Sequence, residues 1–315
     1  MGTTFDDIKY IRREICPQCH TKVSPDWLKQ AKNLKAVEYS FGGYAIPAHG
    51  ADRTRILVCP ECGLVFKDQV PATESLSKLF AASVGKAWGT YYDYTGELEL
   101  AKTCCNKPEA AILDIGSSNG DLPRKFAEFY SYVSALDVVP NPACEQYLTG
   151  EYIMGLLDDF KLEWSGRLYD FVTVFDVAEH LYDVRQGMAN LNKLLAIGGH
   201  AIIETGDAES DFPRRYGVEN WWYLNLIEHH QAFSEAALTL AAEQAGFSVV
   251  SVQRKRHKNK SRLSWKGLLR RAVKSALYRT SPLLFRMMSV DVRQPSPPFE
   301  RDHLLMLLQK QRGVS

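Results

Sequence analysis

An apolar run, Ala110–Ile115, breaks at Gly116-Ser117-Ser118-Asn119-Gly120 into Leu122–Tyr130, a stretch with the apolar period of a helix. A buried strand that enters a helix through a glycine turn is half of a βαβ unit, because parallel strands need a crossover and a helix supplies it. The pattern recurs downstream. The spacing predicts strands over Val133–Val138, near Glu151–Met154, over Phe171–Phe175 and over His200–Thr205, with a helix over Val184–Leu195 before the last of these. Such alternation predicts a doubly wound α/β fold, a parallel sheet covered by helices on both faces. A helix over Ser234–Ala245 follows, N-capped by Ser234 and stopped at Gly246, then strands over Phe247–Gln253 and His303–Gln309.

Four of the seven cysteines form two Cys-x-x-Cys pairs, Cys16/Cys19 and Cys59/Cys62. The opening residues carry charges where a signal peptide has its apolar stretch, and no run reaches the roughly 18 apolar residues of a membrane helix. A cytoplasmic location is therefore expected, and in that reducing setting thiols so spaced point to a metal. Four thiolates suit tetrahedral structural zinc, with iron as the rival; His20 reads as a surface neighbour and Cys104, Cys105 and Cys144 as free thiols. Residues 1–70 are turn-rich and small, so a zinc ribbon-like module stapled by metal is expected there. The expected plan is that module, a helical connector over 71–108, a core made of 109–253 and 302–315, and an insertion over 254–301. At 45% hydrophobic and 24% charged residues, disordered and fibrous classes are excluded.

The insertion is unusual in charge. From Arg254 to Val290 it has no carboxylate, while Lys266, Arg270, Arg271 and Lys274 share one side of a predicted helix, Leu263–Tyr278, opposite Trp265, Leu268, Leu269 and Ala272. A basic amphipathic helix of this kind can lie on an anionic surface, so peripheral contact with the inner face of a membrane through 254–279 is expected. RNA is the less favoured polyanion, and packing of the apolar side on the core is the plain alternative.

The glycine turn fails the dinucleotide fingerprint, because Ser118 and Asp121 stand where glycines are needed. It resembles instead the D-x-G-x-G-x-G motif of class I S-adenosylmethionine-dependent methyltransferases, matched at Asp114, Gly116 and Gly120 with Ser118 replacing the middle glycine. Asp137 closes the second strand where that family has an acidic residue. Asp176-Val177-Ala178-Glu179-His180-Leu181, Leu194-Leu195-Ala196-Ile197-Gly198-Gly199 and Glu228-His229-His230-Gln231-Ala232-Phe233-Ser234 resemble its later motifs, with Ile197 for a proline. The resemblance implies a Rossmann-like methyltransferase sheet that binds S-adenosylmethionine through Asp114, Gly116, Ser117, Gly120, Asp137, Asp158 and Asp176. Asp137 would accept from the ribose hydroxyls, and Asp158, ahead of Asp159, from the adenine amino group. The cysteine module, above all Cys62-Gly63-Leu64-Val65-Phe66, resembles sugar-modifying methyltransferases of deoxysugar and surface-polysaccharide pathways, where it forms part of the substrate side.

These resemblances imply methylation of a sugar, as a sugar nucleotide or a growing polysaccharide. His229 and His180 are the candidate general bases, since imidazole takes a proton near neutral pH. Glu179 with His180 could instead hold a divalent ion, as similar residues do in some relatives. Trp88, Tyr91, Tyr92, Trp221 and Trp222 could wall the pocket. An RNA methyltransferase and an inactive zinc-bearing binding protein are the other two readings.

Overall fold

A computed structural model describes residues 8–34, 39–41, 44–46, 53–84, 94–256 and 301–313, with the single position 276. The predicted basic helix, Trp88, Tyr91 and Tyr92 lie outside the described residues. The chain begins with β1 (Tyr10–Arg12), α1 (Pro25–Gln30), β2 (Lys32–Asn33), β3 (Tyr39–Phe41), β4 (Tyr44–Ile46), β5 (Arg55–Val58), β6 (Val65–Lys67) and β7 (Gln69–Pro71). Helices α2 (Thr73–Ser83) and α3 (Thr95–Cys104) lead into β8 (Ala111–Ile115), α4 (Asp121–Phe126), β9 (Tyr132–Asp137), α5 (Pro142–Glu145), β10 (Tyr152–Met154) and β11 (Tyr169–Phe175). Then come α6 (Val184–Leu194), β12 (Leu195–Gly206), α7 (Asp211–Tyr216), α8 (Trp222–Asn225), β13 (Gln231–Ala232), α9 (Glu235–Gln244), β14 (Phe247–Lys255) and β15 (His303–Lys310).

Seven strands form the central sheet in the order β10-β9-β8-β11-β12-β15-β14. The expected doubly wound sheet is present, with one correction: β15 runs antiparallel to both of its neighbours. All five residues of β8 are buried, as a strand covered on both faces requires. Its side chains alternate. Ala111, Leu113 and Ile115 pack with Met188, Leu191 and Leu238 on one face, whereas Ile112 packs with Leu98, Leu122 and Phe126 on the other.

Two local expectations are revised. The helix after the glycine turn stops at Phe126, because three-residue hydrogen bonds (Glu128 N to Lys125 O, Phe129 N to Phe126 O) tighten its end. The strand predicted over His200–Thr205 begins earlier, at Leu195, so Gly198-Gly199 lies inside β12. There Tyr169 pairs with Leu195 but Phe171 with His200, so the register with β11 shifts across the glycines.

The N-terminal module is not sealed off from the sheet. Its own four-stranded sheet runs β13-β6-β5-β2, so its edge strand comes from residues 231–232, far along the chain. Cys16, Cys59, Cys62, Leu64 and Phe66 share one apolar cluster with Phe233, Leu238 and the covering helices of the large sheet. The two sheets therefore fold around a common core.

Candidate active site

The strand order reverses between β8 and β11, and open α/β sheets bind ligands at the carboxyl ends of strands beside such a reversal. A cleft of about 320 Å³ opens there. Of the residues expected to hold a cofactor, Asp114, Gly116, Ser117, Asp137, Asp158 and Asp176 line it. Gly120 does not. It sits behind the turn with φ +78°, where a Cβ would lie 2.6 Å from the Cα of Cys144.

The turn binds itself to the second strand. The Ser118 N–H donates to Asp137 Oδ2 (2.9 Å), and the Val138 N–H donates to Oδ1 (2.7 Å). Burial raises the Asp137 carboxyl and these amide donors work against the rise. Asp114 lies deeper, taking a 2.6 Å hydrogen bond from the Thr173 hydroxyl, and burial pushes it up to about 7. Asp158 Oδ2 accepts from the backbone N–H of Tyr182 and of Asp183 (2.8 Å). Asp159 is exposed and accepts from the Lys161 N–H instead, so of the two candidates only Asp158 reaches the cleft.

The far wall is built on Glu179, His180 and His229. Glu179 is fully buried; its Oε2 accepts from the Thr205 hydroxyl (2.8 Å), and its Oε1 lies 3.9 Å from Nε2 of both His180 and His229. Burial, with Asp176 nearby, pushes the Glu179 carboxyl up to about 8. Burial also brings His180 down to about 4, so it is a neutral imidazole at physiological pH. The two rings are 5.0 Å apart, and the His229 ring lies 4.1 Å from that of Tyr223. The three groups place their ligand atoms within 4.8 Å of one another, a spacing that also suits a divalent cation.

The aromatic walls differ from expectation. Trp222 lines the cleft, but Trp221 is wholly buried behind it, stacked on Tyr223 at 4.8 Å. Phe80, Tyr94, Phe175 and Tyr223 also line the cleft, and sequence reasoning did not single them out. Two basic residues were missed as well. Lys67 of β6 donates to the Leu226 carbonyl (2.7 Å), and Arg13 reaches the Leu181 and Tyr182 carbonyls and the Gln231 side chain. Burial lowers Lys67 to about 7 and Arg13 to about 10. No local pattern marks either residue, since their partners lie far away in sequence.

Cys16, Cys19, Cys59 and Cys62 bring their sulfurs together, with Cys16–Cys62 at 3.6 Å and Cys19–Cys59 at 3.5 Å. Sulfurs at the corners of a tetrahedron with 2.3 Å metal bonds lie about 3.8 Å apart, so the cluster fits zinc. Cys62 and burial together raise the Cys16 thiol far above its ordinary range, a conflict that a dication at the centre would relieve. His20 is not among the four; its ring pairs with Asp183 at 2.9 Å.

A family model described as a methyltransferase domain matches residues 91–252, just over half of the chain. The ubiquinone biosynthesis O-methyltransferase of Vibrio atlanticus is 29% identical over 101 residues, and that of Pectobacterium atrosepticum 30% identical over 101. Each match covers 30% of this chain and 42% of the relative, so well under half of those proteins is represented. Among solved structures, the 1,6-didemethyltoxoflavin-N1-methyltransferase of Burkholderia thailandensis, with S-adenosylhomocysteine bound, is similar at TM-score 0.51 and 15% identity, over 82% of this chain and 96% of that one. The YcgJ protein of Bacillus subtilis is similar at TM-score 0.50 and 16% identity, over 69% and 99%. At such identities the likeness is one of fold. No helix among the described residues is long and apolar enough to cross a membrane.

Proposed function

The chain belongs to the methyltransferase-domain family, and on that premise we propose that it uses S-adenosylmethionine to methylate a hydroxyl of a sugar, carried on a nucleotide or on a growing surface polysaccharide. The observation that carries the donor side is the cleft in which Asp137, Asp158 and the glycine turn meet. The residues fit the group. Asp137 would hold the ribose hydroxyls, Asp158 would accept from the adenine amino group, and the open turn at Gly116-Ser117 would admit the methionine end. When bound, the cofactor supplies a methyl group on a sulfonium.

The chain's own task is to align an acceptor oxygen with that methyl carbon, exclude water and take away a proton. With the methyl carbon supplied by the bound donor and the sulfide as its leaving group, His229 would take the proton of the acceptor hydroxyl. Glu179 sits behind both imidazoles, its Oε1 3.9 Å from Nε2 of each. His180, held neutral by burial, is the second candidate. Zinc at the four cysteines would be structural, bracing the strands beside this wall. A sugar acceptor is supported by the resemblance of this module to that of sugar-modifying enzymes and by aromatic walls such as Trp222 and Tyr223.

Calorimetric titration with S-adenosylhomocysteine tests the donor side: micromolar-range binding that Asp137→Ala abolishes is expected, and no binding to the wild type would overturn the reading. Isotope-labelled methyl transfer to nucleotide sugars, glycans and RNA then tests the acceptor, with label on RNA alone refuting the sugar. A second reading follows from the spacing of Glu179, His180 and His229: these three hold a divalent cation that activates the hydroxyl. Loss of transfer on chelation, restored by magnesium or manganese with the cysteine site still loaded, would favour it over a histidine base.

A further inference from the structure

Because β15 runs against its neighbours, the start of this strand reaches the sheet edge where the cleft opens. His303 stands first in it, opposite Gly206 of β12 and Lys255 of β14, outside the stretch that matches the family. It and the preceding Asp302 are buried. His303 Nδ1 lies 2.9 Å from Asp302 Oδ1, and Nε2 lies 3.9 Å from Oδ1 of Asp176. The side chain of Asp176 is 46% exposed and lines the cleft, so a buried pair stands directly behind a carboxylate that faces the ligand space.

An imidazole between two carboxylates has no neutral tautomer that suits both sides. Nδ1 is within hydrogen-bond distance of Asp302, while Nε2, 3.9 Å from Asp176, makes no hydrogen bond to it; a neutral ring protonated on Nδ1 turns a lone pair toward that negative oxygen, whereas the imidazolium attracts it by charge. Among the described residues, two further groups face the ring. Glu204, on β12, pairs with Lys255, whose Nζ lies 2.5 Å from Glu204 and 3.5 Å from Glu97, yet still adds its negative charge to the ring's surroundings, and Tyr223 presents its ring at 5.4 Å, nearly perpendicular to the His303 ring. Burial opposes the charge, but Asp302, Asp176 and Glu204 outweigh it and bring His303 up to about 9. Asp176 also needs holding, for its φ of +52° is a backbone conformation that side chains disfavour.

We propose that Asp302 and His303 are a positioning pair, carried into the site by the C-terminal strand, that holds the Asp176 carboxylate in place beside the methyl donor. The proposal rests on the methyltransferase reading above. Neither member of the pair touches the reacting atoms; each acts through Asp176.

Two measurements on the full chain test it. In carbon-13-labelled histidine NMR of the ligand-free protein, the His303 ring should titrate well above an ordinary histidine, and both Asp302→Asn and Asp176→Asn should lower it. If Asp176→Asn leaves that titration unmoved, the pair does not act on Asp176 and the proposal fails. In calorimetry with S-adenosylhomocysteine, Asp176→Asn and His303→Gln should each weaken binding about tenfold, and the double variant no further, as coupled residues behave. Losses that add would overturn the proposal while Asp137-dependent binding left the methyltransferase reading standing. Absence of binding to the wild type would overturn that reading instead, and the NMR titration would still decide the pairing. Half-exposed Asp176 is the substitution least disturbing to the fold, so the decisive NMR comparison does not depend on replacing buried His303.

Discussion

Ser118 has a left-handed backbone, φ +46°, in the turn where the resembling motif carries a glycine. A side chain there costs about 1 kcal/mol or somewhat more, and the compensating contact is the amide hydrogen bond to Asp137. Since that bond uses only the backbone of Ser118, Ser118→Gly should keep it and relieve the strain. A thermal midpoint at or above the wild type, with unchanged S-adenosylhomocysteine affinity, is expected by scanning fluorimetry and calorimetry. Gly116→Ala should do the reverse: at φ +78° the new Cβ would meet Val177 Cγ2 at 2.4 Å, a combined cost of roughly 2–4 kcal/mol that also displaces the turn from the ligand. His303 makes a pH-dependent contribution. Its folded value of about 9 lies above the ordinary 6.5, so it adds stability that is complete below pH 6.5 and lost as pH rises through about 9, roughly 3 kcal/mol at most. The stability gap between wild type and His303→Gln, measured by denaturant titration, should therefore be widest near pH 6 and shrink toward pH 9. A gap that does not depend on pH would contradict the charged state of the ring.

At the scale of elements, the ladder between β6 and β13 joins the cysteine module to the catalytic wall. Val65 pairs with Ala232 and Phe66 with Gln231, and the Lys67 N–H donates to the His230 carbonyl (2.9 Å). The His230 N–H in turn donates to the Glu179 carbonyl (2.8 Å), while Gln231 Nε2 donates to the Ala178 and Leu181 carbonyls. The first cysteine knuckle holds the same loop from the other side, where the Pro17 carbonyl accepts from the Val184 N–H. Cys59→Ser should thus raise hydrogen–deuterium exchange over 178–185 and 226–233 and leave β8 and β9 protected; equal loosening of all strands would refute this local coupling. The ladder also marks where sequence reasoning ends. The glycine turn, the Ser234 N-cap and the succession of core strands and helices along the chain could be read because residues close in sequence or with a strong period specify them. Residues 231–232 carry no strand signal, because two residues are too few for a period, and their partner β6 lies more than 160 positions away. The same distance hid Lys67 and the Asp302–His303 pair. The register shift at Gly198-Gly199 was not legible either, because glycines punctuate turns and strand irregularities alike, and only pairing with β11 distinguishes them.

For the whole molecule, the shared core decides how stability is distributed. Had the cysteine module been an independent unit, its loss would leave the sheet intact and unfolding would come in two steps. Here Cys16, Cys59, Cys62, Leu64 and Phe66 are buried in the same cluster as Phe233, Leu238 and the helices over β8. Removing a metal from the four thiolates would leave buried sulfurs crowded at about 3.6 Å, and their conflict must be relieved by moving β5, β6 and, through the ladder, β13. Such movement exposes apolar surface common to both sheets, so its cost falls on the entire fold. Calorimetry of the metal-loaded chain should show one cooperative transition. A strong zinc chelator should shift that single transition downward without splitting it. S-adenosylhomocysteine at a hundred times its dissociation constant should stabilise the loaded protein by about 2.7 kcal/mol, and the chelated protein by less, because weakened grip on Asp158 through Tyr182 and Asp183 lowers its affinity. Two separate transitions, or equal stabilisation with and without chelator, would show that the metal module and the donor cleft are energetically independent.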